Sequence, residues 1–478
     1  NFLATSTIFV FSTYLSIICK TPPIPSKIRI LTPINKNEFF RLLQNLIICY
    51  HLVMNKVTIP INYPLRGELT IPADKSVSHR AVMISSLIKG NTLIKGFSKA
   101  QDPLSTVEVC RKLGVEITKV DDRTLLVKST GVLSKPNCYL NCGNSGTTMR
   151  LMSGILAGQD FKSMLIGDES LSNRPMKRVI EPLTQMGAVI HSTNNLAPLC
   201  IDGQRLHGIT YRSKLSTAQV KSCVLLAGMF AEGVTTYIEP SLSRNHTELM
   251  LSYLGADINV DGLRVTIKPS TLEPKDIEVV GDISSAAFYM VAGLIVPNSD
   301  IILKNVGLNP TRTGILKVIE QMGGDIEILD ERTVCNEVVG DIRVRYSELK
   351  GTTVEGDIIP KLIDELPIIA VLATQAEGET VIKNAEDLRN KECDRVSAVT
   401  TMLKNLGADI EETPDGFIIC GKTKLRGGVD VETFKDHRLA MSAYVAGLVC
   451  EKPVSIKNFN CVDISLPEFE AGFANLKM

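Results

Sequence analysis

Several short segments of the sequence place cations, small residues and carboxylates where anion chemistry would use them. The first is Pro72-Ala73-Asp74-Lys75-Ser76-Val77-Ser78-His79-Arg80. Val77, Ala81, Ile84 and Ile88 recur at helical spacing, so Ser76 is expected near a helix start. Free backbone N–H groups there attract anions, and Lys75 and Arg80 add full charges; the alternative is an ordinary Ser cap with solvated neighbours. The second runs from Cys142 to Arg150. Gly143 and Gly146 allow close backbone approach, and Thr147 and Thr148 are suited to cap the helix that follows. This is a plausible phosphate or carboxylate cradle, but not a Walker loop, since no Gly-Lys-Ser/Thr follows. In the third, Pro175 restricts Arg174 to extended geometry and is expected to open a helix. An Arg held there suits bidentate binding of a carboxylate or phosphate, and a solvated Arg fits the same pattern.

The second half carries three more. Asp364 stands in an apolar stretch, either capping the next helix or acting as a partly desolvated base. Lys391 and Arg395 are four apart, side by side if the segment is helical; they then either flank an anion or are neutralised by Glu392 and Asp394. Asp436-His437-Arg438 precedes an apolar helical run, again putting a cation near a helix start.

These side chains need a framework, and an internal repeat supplies one. A helix end followed by Gly and a strand recurs as LGVEI at 113, MGAVI at 186, LGADI at 254, MGGDI at 322 and LGADI at 406. A second pattern, an apolar helix, a turn and a β-branched strand, occurs six times, as in SSLIKGNTLIKGF and VAGLIVPNSDIILKNV. Units of about 70 residues are too small to be comfortable alone, so they are expected to pool their apolar faces as two globules of three.

Composition excludes several classes. Lys+Arg and Asp+Glu are both 52, against a generally basic nucleic-acid binder and against an acidic disordered chain. With no Trp and 5% aromatic residues, platforms for stacking bases or sugars are not expected. The twelve Cys are scattered, with no zinc-type spacing, and read as small core residues in a reducing compartment. Residues 1–53 carry five cations against Glu38 alone, and their longest apolar stretch, from Ile8 to Cys19, is too short to cross a bilayer. They are expected to be an extension outside the fold, with a cleaved targeting segment as the second choice.

Taken together and in order, KSVSHR (75–80), GNSGTTMR (143–150), SNRPM (172–176), TAQVKS (217–222), SRNHTE (243–248), KECDR (391–395) and DHR (436–438) resemble the 5-enolpyruvylshikimate-3-phosphate synthase family over residues 54–478. The resemblance implies an α/β (α+β) fold, a two-domain inside-out barrel with three βαβαββ repeats in each domain and the active site in the cleft between them. The outer domain would take 54–73 plus 281–478, and the central one 74–280. The implied reaction moves the enolpyruvyl group of phosphoenolpyruvate to the 5-hydroxyl of shikimate 3-phosphate through a tetrahedral intermediate. No cofactor, metal, nucleic-acid or membrane partner is implied, and a cytoplasmic monomer is expected, or a plastid one if 1–53 is a transit peptide.

Carried over position by position, the resemblance gives Lys75, Ser76, Arg80, Thr217, Ala218, Gln219, Asp364 and Lys391 to shikimate 3-phosphate. It gives Lys75, Asn144, Gly146, Arg174, Gln219, Arg395, His437 and Arg438 to phosphoenolpyruvate. Asp364 would take the proton of the 5-hydroxyl, Glu392 would protonate the methylene carbon, and Lys75 completes the catalytic set. One departure stands out: many family members have a Lys shortly before a Phe/Tyr-Pro near the C-terminus, where this chain reads CVDISLP (461–467). Either that contact is absent or another cation, such as Lys457, replaces it. One rival is the sister transferase acting on UDP-N-acetylglucosamine, which would carry Lys-Asn in place of Lys75-Ser76 and a reactive loop Cys, for which Cys110 is the candidate; the other is a non-catalytic binding protein on the same fold, against which Asp364 and Glu392 argue. Ligands drawn from both globules also predict domain closure on binding.

Overall fold

The computed structural model describes residues 55–477. The expected extension, 1–53, lies outside them. Six small sheets, five of four strands and one of three, surround two separate hydrophobic cores. One core gathers Leu65, Leu69 and Ile71 with residues from Ile283 to Leu476; the other runs from Ala73 to Val280 and also takes in Val339. The chain therefore passes between cores twice, and the two passages lie side by side. Ala73 and Gly281 bridge antiparallel, Asp74 N donates to Val280 O at 2.7 Å, and Asp282 N donates to Pro72 O at 2.9 Å. A Cβ on Gly281 would stand 2.3 Å from Asn305 O, so no other residue fits this passage without moving backbone.

The helices explain why the fold is inside out. Ile283–Ile295 and Leu366–Thr374 are buried at every position, and His437–Gly447 at all but one. A helix apolar all round has no solvent face, so these three pack on one another and the sheets wrap them. In the other lobe Gly146–Ala157 packs on both Ala218–Gly228 and Lys75–Ser85. The sheets face water on their outer side, as strands with alternating burial such as Lys89–Lys95 and Glu337–Arg345 require.

The repeated helix–Gly–strand turns are present as expected. Gly114, Gly187, Gly255, Gly323 and Gly407 all have φ between +77° and +98°, which lets the chain reverse from helix to strand without a Cβ clash. Details of capping differ. Asp74, not Ser76, caps its helix, accepting from Val77 N at 2.8 Å, and Ser145 rather than Thr147 or Thr148 caps the next. The helix after Arg174 begins at Lys177, two residues beyond Pro175. The core reading of the Cys residues holds for Cys110, Cys142, Cys223, Cys450 and Cys461, whereas Cys138 and Cys420 are exposed. Cys19 and Cys49 lie outside the described residues.

Candidate active site

Six buried helices start at Lys75, Gly146, Ala218, Ile283, Leu366 and His437, and residues at or just before each start line one cavity of about 730 Å³ between the two cores. Asp74, Ser145, Asp282 and Asp436 cap four of these six helix starts, so the charge the cavity offers comes mainly from its side chains. Ten Lys and Arg side chains line it against six Asp and Glu, a surplus of four positive charges. No neutral ligand explains that surplus. The site is built for anions.

Lys75, Ser76, Gly146, Arg174, Thr217, Ala218, Gln219, Asp364, Lys391, Glu392, Arg395, His437 and Arg438 all stand on the wall. Arg80 and Asn144 stand behind it. Arg80 is buried, donating Nε to Thr247 Oγ1 at 2.7 Å and Nη2 to Ser222 Oγ at 2.8 Å. Asn144 accepts from Arg174 Nη2 at 2.8 Å and donates to Asp168 Oδ2 at 2.8 Å, so it aims the Arg that reaches the cavity.

Asp364 does not cap a helix. Glu365 is the N-cap residue of the following helix and its side chain makes no cap bond. Asp364 instead sits among cations: Arg244 Nη2 at 2.5 Å, Lys391 Nζ at 3.3 Å and Arg395 Nη1 at 3.5 Å, while Arg438 Nη1 donates to its backbone carbonyl at 3.0 Å. Burial pushes its carboxyl up, but Lys391, Arg244, Arg438 and Arg395 outweigh burial and hold it well below the usual range. Lys391 and Arg395 do not share a helix face, because the helix begins only at Arg395; they converge through Asp364.

Arg395 is 1% exposed. Its Nε donates to Asp436 Oδ2 at 2.7 Å and its Nη2 to Glu392 Oε2 at 2.6 Å, while Nη1 is buried without a hydrogen-bond acceptor. Both ring nitrogens of buried His437 and the Nε of Arg174 are likewise unsatisfied. Buried donors without partners are costly, so three such groups around one cavity point to a ligand that supplies them. Burial first, then Lys75, Arg438 and Arg395, depress the His437 pKa well below its ordinary value, so its ring is neutral. For Glu392, burial raises the carboxyl, and the charges of Arg395, Arg174 and Lys75 overcome it and hold it well below its ordinary value.

The wall also holds residues that the position-by-position comparison left out: Arg150, Arg178, Lys214, Arg244, Arg312 and Asp102. Arg150 donates to Gln219 Oε1 at 2.6 Å, and Lys75 Nζ donates to Asp102 Oδ2 at 3.1 Å. Burial raises the Asp102 carboxyl, partly offset by Lys75. Arg150 and Arg244 lie inside GNSGTTMR and SRNHTE, so those motifs were the available signal; Arg312 and Arg178 carry none in the sequence. Three ion pairs join the lobes across the opening: Arg244 with Asp364, Arg174 with Glu392 at 3.6 Å, and Arg178 with Asp387 at 3.1 Å. Lys457 pairs with Asp430 at 3.6 Å and is not on the cavity wall, so it does not replace a cation there; no residue of 459–467 lines the cavity either. Cys110 is fully buried, with its thiol pushed up to about 12 by burial, which makes it inert.

A family model described as EPSP synthase (3-phosphoshikimate 1-carboxyvinyltransferase) matches residues 59–473. The 3-phosphoshikimate 1-carboxyvinyltransferase of Petrotoga mobilis is 47% identical over 429 residues, covering 88% of this chain and 99% of its own. That of Geobacillus kaustophilus is 51% identical over 418 residues, 86% of this chain and 98% of its own. Among solved structures, EPSP synthase from Acinetobacter baumannii superposes with a TM-score of 0.80 at 40% identity, covering 88% of this chain and 98% of that one. The enolpyruvyl transferase NikO from Streptomyces tendae shares the fold with a TM-score of 0.72 at 16% identity, over 88% of this chain and 97% of that one.

Proposed function

The chain belongs to the EPSP synthase (3-phosphoshikimate 1-carboxyvinyltransferase) family, and from that premise we propose that its cleft transfers the enolpyruvyl group of phosphoenolpyruvate to the 5-hydroxyl of shikimate 3-phosphate with release of inorganic phosphate. The observation that carries the proposal is the surplus of four cations at six converging helix starts. Each substrate is a phosphate monoester with a carboxylate, so the pair brings about five to six negative charges at neutral pH. Two unit charges 4 Å apart repel by about 4 kcal/mol at an effective dielectric of 20. Juxtaposing the substrates therefore needs fixed cations on both.

Phosphoenolpyruvate is held by Lys75, Arg174, Arg395 and Arg438, with Gly146 leaving room for close approach, Gln219 beside it, His437 completing the wall and Asn144 aiming Arg174. Shikimate 3-phosphate lies against Ser76, Thr217, Ala218 and Gln219, with Lys75 and Lys391 in reach and Arg80 behind. Its neighbouring cations hold Glu392 ionised, so it needs a proton before it acts as the acid. The arriving phosphoenolpyruvate supplies the reason: its charges neutralise Arg174 and Arg395, whose pull keeps Glu392 ionised, and the carboxyl then takes up a proton. Glu392 passes that proton to the methylene carbon, Asp364 accepts the proton of the 5-hydroxyl as the C–O bond forms, and loss of phosphate with return of a methyl proton restores the alkene.

The protein works as a monomer in the cytoplasm, or in a plastid if residues 1–53 direct it there; none of the helices among the described residues is long and apolar enough to cross a membrane. The domains divide at 73/74 and 280/281. Phosphate release from phosphoenolpyruvate with shikimate 3-phosphate and with UDP-N-acetylglucosamine tests the proposal. Release with the first acceptor alone is expected, and release with the second alone overturns it.

A further inference from the structure

Behind the wall that carries Thr217, Ala218 and Gln219 lies a charged layer with no access to the cavity. Lys221 belongs to the same helix, Ala218–Gly228, and its side chain is 0% exposed. Its Nζ stands 2.8 Å from Glu239 Oε1 and 2.8 Å from Glu248 Oε1, and donates to the carbonyl of Ser243 at 3.1 Å. Glu239 closes a ring around the same point, accepting from Ser243 N at 3.1 Å and from Ser243 Oγ at 2.5 Å. Arg244, the next residue, extends into the cavity toward Asp364. Ser241 of the same turn donates its N–H to Ser216 Oγ at 3.0 Å.

The second arm leads to Arg80. Glu248 follows Thr247 in the helix His246–Tyr253, and Thr247 accepts from Arg80 and donates to Ser222 Oγ at 2.7 Å. The other Glu248 oxygen is buried without a partner, and Arg80 feels its charge. Two carboxylates face one ammonium here, and Arg80 supplies the second positive charge. Three segments thus meet at a single buried cation: the helix start with Thr217–Gln219, the turn with Ser241 and Arg244, and the helix that anchors Arg80.

Such a layer is costly to bury, and well-packed apolar residues of similar volume are often as stable or more so. Stability is therefore a poor reason for it. We infer that Lys221 is a positioning residue: through Glu239, Ser243 and Glu248 it fixes where Arg244 stands on the face that receives the phosphorylated acceptor and where Arg80 stands behind that face. The inference rests on the function proposed above and adds a residue that touches neither substrate.

The test compares the parent enzyme with K221M/E239Q, which removes one charge of each sign. The parent is assayed first; a parent inactive with shikimate 3-phosphate overturns the proposed function and not this inference. With an active parent, the double variant is expected to fold, to raise KM for shikimate 3-phosphate by about tenfold and to leave KM for phosphoenolpyruvate within about twofold. Equal increases in both, or no increase in either, overturn the positioning role. If the double variant fails to fold, Ser243→Ala, which loses only the hydroxyl contact to Glu239, decides by the same split, with an expected increase of about threefold confined to the acceptor.

Discussion

At the scale of single residues, the proposed chemistry depends on carboxylates held down by cations that the substrates would neutralise. Glu392 has Arg395 Nη2 at 2.6 Å and Arg174 Nη1 at 3.6 Å, so its charge state follows what those guanidiniums bind. Glu392→Gln keeps the shape and removes the proton; kcat is expected to fall by about 10²-fold or more with little change in either KM, as single-turnover phosphate release would show. A kcat within threefold of the parent would reject Glu392 as the acid. Gly146 makes a second case. A Cβ there would stand 2.9 Å from Arg150 Nη1 and 3.6 Å from Arg174 Nη1. Both are ends of flexible side chains, so Gly146→Ala is expected to leave the melting temperature nearly unchanged. It should displace the two guanidiniums and raise KM for phosphoenolpyruvate several-fold.

At the scale of elements, the two passages between lobes end in two capping aspartates that share one cation. Asp74 caps Lys75–Ser85, Asp282 caps Ile283–Ile295, and Arg312 pairs with both at 3.2 Å. Burial and the neighbouring Asp74 charge raise the Asp282 carboxyl to about 6, partly offset by Arg312 and Arg438. Asp74 is the ionised partner: burial raises it, but Arg312 and His246 bring it to about 2. The signs then differ. Asp282 contributes stability that is full below its ordinary value of 3.8 and is lost as pH rises through about 6, whereas the Asp74 contribution is present above 3.8 and lost as pH falls toward 2. Asp282→Asn retains a cap and abolishes the first dependence. Relative to the parent it should gain stability between pH 4 and 7, with a ceiling of about 3 kcal/mol. Thermal melts across that range check this, and a difference independent of pH would discard the assignment.

At the scale of the whole molecule, the described structure is closed over its cavity by the three cross-cleft ion pairs. Arg178 and Asp387 are both more than one-third exposed, so their pair is salt-sensitive and contributes little. The other two are half-buried or deeper and involve residues proposed to act on substrate. On the proposed function, ligand anions compete for Arg174 and Arg244, which would couple closure to binding. In high salt without substrates the lobes are expected to open, seen as a larger radius of gyration by small-angle scattering. Saturation with both substrates should restore the compact form. A radius unchanged by salt and by substrates would exclude the hinge.

Much of this protein is local enough to be legible in its sequence. The glycine turns at 114, 187, 255, 323 and 407 depend on one backbone angle each, and the buried helices on their own apolar composition, so neighbours along the chain suffice to specify them. Lys75, Arg174 and Arg438 could be named as anion ligands for the same reason, since each stands within a few residues of a helix start. Capping was less legible: Asp74, Ser76 and Ser78 all have the right chemistry, and only the angle at which the chain leaves the crossover selected Asp74. What tertiary structure alone decided is which charges meet. Arg244 and Asp364 are 120 positions apart, Arg312 joins two passages that are adjacent in space but distant along the chain, and Lys391 finds Arg395 through a carboxylate rather than a shared helix face. Charge interactions depend on distance through space and on the dielectric that burial creates, and neither exists until two crossovers have brought six helix ends to one cavity.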